Sequence, residues 1–343
     1  MSERIGYIDS LKGLAILLMV MGHVIAWQFP SYQIALNENP HSTMLMWRII
    51  YTFHMPLLMF CSGLFALRIK DYTWKAIRDN LWKRCCTLLV PFFVAGGIHY
   101  MIFRQQFLGY WFLWMLFQFI IVVLLVDGVC SLLRRYHHTV STIIIVVLAI
   151  VVHVFYDRFL RFNHYPFIDI VHWRLFPYFC MGVVCSRYDL CSKWFSKNWV
   201  FTCALSLYAF LTYWHIIIAR QIPHQALLEC LIPISAIISL VYLFKVGFAH
   251  SSSRLISWLQ DIGKHSLEIY IIHGYFLFRM YFVGEFVLEQ ANTIGGGRTI
   301  FITQLITSII ASIIIIILSY LVCNVINKSK ILSPLLLGRK SEE

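Results

Sequence analysis

A lysine and a histidine lie eleven residues apart in an otherwise apolar segment near the amino terminus. The segment reads YIDSLKGLAILLMVMGHV and contains Asp9, Lys12 and His23. In an α-helix, eleven residues turn through about 1100°, so Lys12 and His23 lie on one face, roughly 16 Å apart along the axis. Asp9 is close enough to that face to pair with Lys12 at the membrane boundary. If this segment crosses a membrane, His23 lies about halfway through the bilayer. An imidazole there needs a partner or water, which points to a functional position.

Two further histidines occur in apolar segments, His54 in TFHMPLLMFCSG and His273 in HSLEIYIIHGYF. His54 lies roughly 21 Å from the predicted inner end of its helix and His273 roughly 12 Å from that of its own. Three histidines from three helices are therefore expected at similar depths, with Glu268 near the entrance of the third helix. A structural network of buried polar groups would explain the same pattern, and Lys12 could simply extend to the lipid headgroups.

A basic segment, RIKDYTWKAIRDNLWKRCCTLLVP, joins the second and third apolar segments. Much of its charge is of the kind that orients membrane proteins. Lys83 and Arg84 lie directly before the third span, however, where they could bind a polyphosphate beside Lys12.

The elements that must position these residues are membrane helices. The 343 residues are 60% hydrophobic and only 13% charged, a composition typical of an integral membrane protein. We predict an all-α bundle forming a single transmembrane domain over residues 1–343, without a separate soluble domain. At about twenty residues per crossing, the predicted spans are 10–29, 44–67, 85–103, 110–133, 140–156, 172–186, 199–218, 224–244, 265–286 and 299–326.

The basic residues predict the orientation of this ten-helix bundle. With a cytoplasmic amino terminus, the inner side carries 20 of the 28 Lys and Arg residues and the outer side 8, so both termini are predicted to be cytoplasmic. The net charge of +12 is spread over short clusters between apolar segments, which argues against a nucleic-acid partner. The sequence has no Cys or His cluster with metal-ligand spacing, so we expect no metal.

Six sequence segments together resemble the membrane-bound acyltransferase 3 family in order and approximate spacing, over nearly the whole chain. These segments are YIDSLKGLAILLMVMGH, FHMPLLMFCSG, KRCCTLLVP, YWFLWML, FPYFCMGV and GKHSLEIYIIH. The family's motif of a basic residue and a histidine separated by ten residues corresponds to Lys12 and His23. The basic residue is more often arginine, whose planar fork binds phosphate through two hydrogen bonds, so Lys12 departs from the usual pattern.

The resemblance implies an acyl-CoA-dependent O-acyltransferase in the cell membrane, the cytoplasmic or inner membrane if the source is bacterial. The donor would be acetyl-CoA or another acyl-CoA, and the acceptor a hydroxyl of a surface glycan or glycolipid precursor. Some relatives carry a fused esterase-like domain, which we do not expect here. The oligomeric state stays open.

We assign roles on this basis. Lys83 and Arg84, helped by Lys12, would bind the phosphates of the acyl-CoA, and Asp9 would order Lys12. His23 would be the general base, held in its tautomer by an unidentified group, or would carry the acyl group covalently. His54 and His273 would orient the acceptor or polarise the thioester.

A proton-coupled transporter is the alternative function. Intramembrane histidines together with Glu268 and Asp127 would also suit proton-coupled transport of a small or acylated substrate. A transporter does not require a basic site aligned with His23, which favours the acyltransferase.

Overall fold

The structure, a computed structural model, describes residues 6–28, 44–66, 72–104, 110–155, 170–218, 226–249, 253–277 and 297–338, and the single positions 251, 286, 289, 290 and 293. The regular structure in these ranges is helical, as predicted. The helices are α1 (Gly6–Gln28), α2 (Met44–Gly63), α3 (Trp74–Arg84), α4 (Val90–Phe103), α5 (Trp111–Cys130), α6 (His137–Phe155), α7 (Phe176–Tyr188), α8 (Leu190–Lys193), α9 (Asn198–Tyr213), α10 (Ala226–Tyr242), α11 (Arg254–Lys264), α12 (Ser266–Leu277) and α13 (Gly297–Asn327).

Seven helical segments within the described residues are long and apolar enough to cross a membrane. They are Gly6–Ala26, Trp74–Phe103, Trp111–Leu133, His137–Phe155, Asn198–Ile216, Cys230–Gly247 and Ile302–Asn327. The other three predicted spans correspond to α2, α7 and α12. Of these, α7 is 13 residues long, which is shorter than the roughly 20 residues that a full crossing needs, and the described part of α12 ends at Leu277. The protein is therefore a multi-pass membrane protein, while the count of ten spans and the orientation of the termini stay predictions.

Helix α1 lies inside the bundle. Of its apolar window, 72% is buried, against 17–44% in the other six spans. It packs against α2, α11, α12 and α13. Because most of this helix is buried, the polar side chains of Lys12 and His23 can face other helices instead of lipid.

The third crossing is longer than the predicted 85–103. Thr73 caps α3, accepting a hydrogen bond from the backbone N–H of Ala76, and α3 continues through the π-helical turn Cys85–Leu89 into α4. Pro91 closely follows this π-helical turn, and a local π adjustment is one way in which a membrane helix accommodates the backbone hydrogen bond that proline cannot make. Lys83 and Arg84 consequently lie inside a continuous helix and not in the connection before it.

Helix α11 covers the end of α1 that carries Lys12. It buries Ile256, Leu259 and Ile262 and leaves the opposite side exposed. A Cβ added at Gly13 would clash with the backbone of Leu259, and one added at Gly263 would clash with the backbone of Asp9. The missing side chains let the two helices approach closely, which fixes the position of the segment containing Asp9 and Lys12.

Candidate active site

The side chains of His23 and His273 are in contact, although 250 positions separate them in the chain. His23 Nδ1 lies 3.0 Å from His273 Nε2, and the two rings stack with centroids 5.2 Å apart. His273 is fully buried at 0% exposure, whereas His23 is partly exposed. Of the two rings, that of His23 is therefore the one with surface that a substrate could contact.

The contacts of His273 determine which nitrogen of each ring carries a proton. His273 Nδ1 lies 2.6 Å from the carbonyl oxygen of Tyr270 and 3.1 Å from that of Ile269. A carbonyl only accepts, so Nδ1 of His273 donates and Nε2 of the neutral ring is an acceptor. His23 Nδ1 must then donate to it, which leaves the basic lone pair on His23 Nε2.

Helix α12 is tied to the start of α5 through the two residues Tyr270 and Ile271, which lie just before His273 in the chain. Tyr110 Oη donates to the carbonyl oxygen of Ile271 over 3.0 Å, and the backbone N–H of Phe112 donates to Tyr270 Oη over 3.1 Å. Both tyrosines are buried. The sequence analysis did not identify these two residues, although Tyr110 belongs to the segment YWFLWML that carried the family resemblance.

His54 lies on α2 and contacts its own helix. Its Nδ1 lies 2.8 Å from the carbonyl oxygen of Ile50, and its ring meets the Tyr51 ring edge-on with centroids 4.6 Å apart. The Tyr51 ring packs against Gly22, where an added Cβ would lie 2.7 Å from it. The Tyr51 ring therefore lies between His54 and Gly22, the residue before His23 on α1.

Lys12 and Arg84 meet at the segment that follows α2. Lys12 Nζ lies 4.5 Å from the centroid of the Phe65 ring. Arg84 Nη2 donates to the carbonyl oxygens of Phe65 and Ala66, over 3.4 and 3.2 Å. Two cations from α1 and α3 therefore converge on one residue, Phe65, which the sequence analysis missed because an isolated aromatic residue carries no signal for such a contact.

The remaining predicted site residues occupy the same end of the bundle or its surface. Lys83 is exposed, and Asp9 is buried where α1 meets Gly263. Glu268 is fully buried in the first turn of α12, where a carboxylate interacts favourably with the helix dipole. The roles assigned to Lys83 and Asp9, and the placing of Glu268 among the supporting site residues, stay predictions.

Asp127, which the transporter interpretation used, forms a buried ion pair. Arg187 Nη2 lies 2.6 Å from both of its carboxylate oxygens, Tyr72 Oη donates to it over 2.8 Å, and Ser141 also donates. Burial, with the adjacent Asp127 carboxylate, raises the pKa of the Tyr72 hydroxyl, which keeps it a donor. These contacts join α5, α6 and α7 to the segment before α3, so a structural clamp accounts for Asp127.

The described residues include no group of three or more His, Cys, Asp or Glu that could hold a metal ion. The expectation of no metal stays a prediction.

Comparison with known proteins gives one match. A family model described as an acyltransferase domain matches residues 5–326, nearly the whole chain. No curated protein and no solved structure matches the chain.

Proposed function

The chain belongs to the acyltransferase 3 family, and from that premise we propose that it transfers an acetyl group from cytoplasmic acetyl-CoA to a hydroxyl of a surface glycan or its lipid-linked precursor. The reaction needs a cationic site for the nucleotide phosphates, a path for the pantetheine arm and a base beside the thioester carbon.

The phosphates would bind where Lys12 and Arg84 converge on Phe65. Arg84 offers the planar fork that binds phosphate through two hydrogen bonds, and Lys12 offers a point charge. Lys83, next to Arg84 in sequence and exposed, would add long-range attraction. The pantetheine arm, stretched along α1, would carry the thioester from Lys12 towards His23, roughly 16 Å away along the helix axis.

His23 would act as the general base through Nε2. The acceptor hydroxyl attacks the thioester carbonyl carbon as its proton passes to His23 Nε2. Collapse of the tetrahedral intermediate breaks the carbon–sulfur bond, and the proton returns from His23 to the departing CoA sulfur. Proton transfer of this kind contributes typically 10²–10⁴-fold to the rate.

The observation that carries this proposal is the 3.0 Å contact between His23 and His273. The contact leaves the basic nitrogen on the partly exposed ring, and that ring lies on the same face of α1 as Lys12. A base at His23 and a phosphate-binding cation at Lys12 would therefore lie at the two ends of one face of α1.

The test is transfer of label from radiolabelled acetyl-CoA in membranes that contain the protein and envelope glycans. We expect label in the glycan with wild-type protein, and a loss of about 10²–10⁴-fold per folded molecule for His23→Gln. His138→Gln is the matched control, because His138 is exposed on α6. Label in neither glycan nor protein with the wild type would contradict acetyl transfer, and label held on the protein would favour the covalent route.

A further inference from the structure

Three rings form a continuous ladder along one face of α2. The Trp47 and Tyr51 rings stack with centroids 4.0 Å apart, and Tyr51 meets the edge of His54 at 4.6 Å. Residues 47, 51 and 54 follow the four-and-three spacing that aligns side chains on one helix face. The ladder spans roughly 10 Å along the axis.

The middle of the ladder lies beside the candidate base, and its Trp47 end points away from the phosphate site. Its middle ring, Tyr51, lies against Gly22, the residue before His23. Phe65 follows the end of α2 and contacts Lys12, so α2 runs antiparallel to α1 and Trp47 lies at the opposite end from Lys12. An acyl donor would thus reach His23 from the Lys12 end of α1, whereas the Trp47 end of the ladder lies on the opposite side of His23.

The two aromatic rings of the ladder keep exposed surface although their neighbours do not. Met21, Ile25 and Ile50 are 4–6% exposed and form a small apolar cluster separate from the main core. Trp47 and Tyr51 pack against this cluster but are only partly buried, whereas His54 is 2% exposed. The ladder therefore has two partly exposed rings, Trp47 and Tyr51, and ends at the buried ring of His54.

We propose that Trp47 and Tyr51 bind a pyranose ring of the acceptor and place its hydroxyl at His23. The site rests on the proposed function, since it supplies the acceptor for that reaction. One face of a pyranose carries C–H groups with partial positive charge, which stack on the electron-rich face of an aromatic ring. Phosphates would favour cations, and an acyl chain alone would be bound equally well by aliphatic side chains.

Binding is tested without any acyl donor. The protein, labelled with 5-fluorotryptophan and held in lipid nanodiscs, is titrated with methyl pyranosides of glucose, galactose, mannose, rhamnose and N-acetylglucosamine, and with sorbitol. Sorbitol has comparable hydroxyls but no ring face. We expect at least one pyranoside to shift the fluorine resonance of Trp47, assigned by its loss in Trp47→Phe, while sorbitol does not. No shift with any pyranoside, or an equal shift with sorbitol, would overturn the site and leave the rings as membrane-interface residues.

Variants then separate this site from the proposed reaction. Gly22→Ala should displace the Tyr51 ring and weaken the pyranoside-induced shift. Trp47→Leu should raise the apparent acceptor KM roughly 2–12-fold, the range expected for one stacking contact. The KM for acetyl-CoA should not change. Trp74→Leu is the control, because Trp74 is 78% exposed and lies on α3. Pyranoside binding without acetyl transfer would refute the proposed function alone, whereas transfer with an unchanged acceptor KM in Trp47→Leu would refute the site alone.

Discussion

When one neutral histidine donates a hydrogen bond to another, the accepting ring uses its only nitrogen lone pair in that bond and cannot also take a proton from a substrate. In this pair the buried ring is anchored to backbone carbonyls, and the partly exposed ring retains the lone pair. If His23 is the base, as we propose, His273 would act as a positioning residue for it, comparable to the groups that orient a ligand imidazole in metal sites. This replaces the unidentified group of the sequence analysis with a named side chain.

The first prediction concerns His273. A glutamine there can still accept the hydrogen bond from His23 Nδ1, whereas a leucine cannot, so His273→Gln should retain more transfer activity than His273→Leu. In the leucine variant His23 is free to change tautomer, and we expect a rate loss approaching the 10²–10⁴-fold range of a lost base together with an altered pH profile. Transfer per folded molecule and pH–rate profiles of both variants provide the measurement. Equal losses with unchanged profiles would mean that His273 only supports packing.

The second prediction contrasts two neighbouring cations. Arg84 reaches Phe65 and so the Lys12 end of α1, while the Lys83 side chain is exposed. Arg84→Ala should therefore raise the KM for acetyl-CoA by more than Lys83→Ala does, and Arg84→Lys should recover part of the loss because it restores the charge without the fork. Initial rates against acetyl-CoA concentration check this. A larger effect at Lys83 would move the phosphate site to the exposed face of α3.

At the scale of the elements, apolar segments predict the membrane helices but miss two helices, α3 and α11, that lie in the predicted connections between spans. The first turns of α3 were interpreted as a charged connection, although Thr73 supplies a recognisable helix cap three residues before Ala76. Helix α11 was also assigned to a connection, although Ile256, Leu259 and Ile262 recur at helical spacing. Both segments are rich in charged residues, which favours a connection, whereas the helix cap and the helical spacing of apolar residues favour a helix.

The third prediction concerns the close contact between α1 and α11. Gly13→Ala inserts a methyl group against the backbone of Leu259, which cannot move as a side chain could, so we expect a loss of about 1–3 kcal/mol of stability. Gly97→Ala is the matched control, because a Cβ at Gly97 meets nothing within 4 Å. Thermal unfolding midpoints of the two purified variants provide the measurement. If both midpoints match that of the wild type, the packing of α11 on α1 is looser than the structure indicates.

At the scale of the whole molecule, the limit of sequence reasoning is the rotation of each helix about its axis. Residue spacing gives depth, at about 1.5 Å per residue, so His23, His54 and His273 could be placed at comparable levels. It does not say which faces of α1 and α12 meet, and only the packed bundle brings His23 against His273. The contact of His54 with Tyr51 lies within α2 and follows from their three-residue spacing. The family match covers residues 5–326 and supports the activity, but it does not assign these contacts.

Membrane orientation is the last prediction, and the proposed reaction depends on it. The 20-to-8 division of Lys and Arg residues between the two sides places the Lys12 end of α1 in the cytoplasm, where acyl-CoA is available. In a Cys203→Ser background, which removes an exposed native thiol, we expect an impermeant maleimide to label Thr293→Cys in right-side-out vesicles. Lys75→Cys, on the exposed surface of α3, should react only after the vesicles are opened. Labelling of Lys75→Cys in sealed vesicles would place Lys12 and Arg84 outside the cell, and a cytoplasmic acyl donor could then no longer reach His23 by this path.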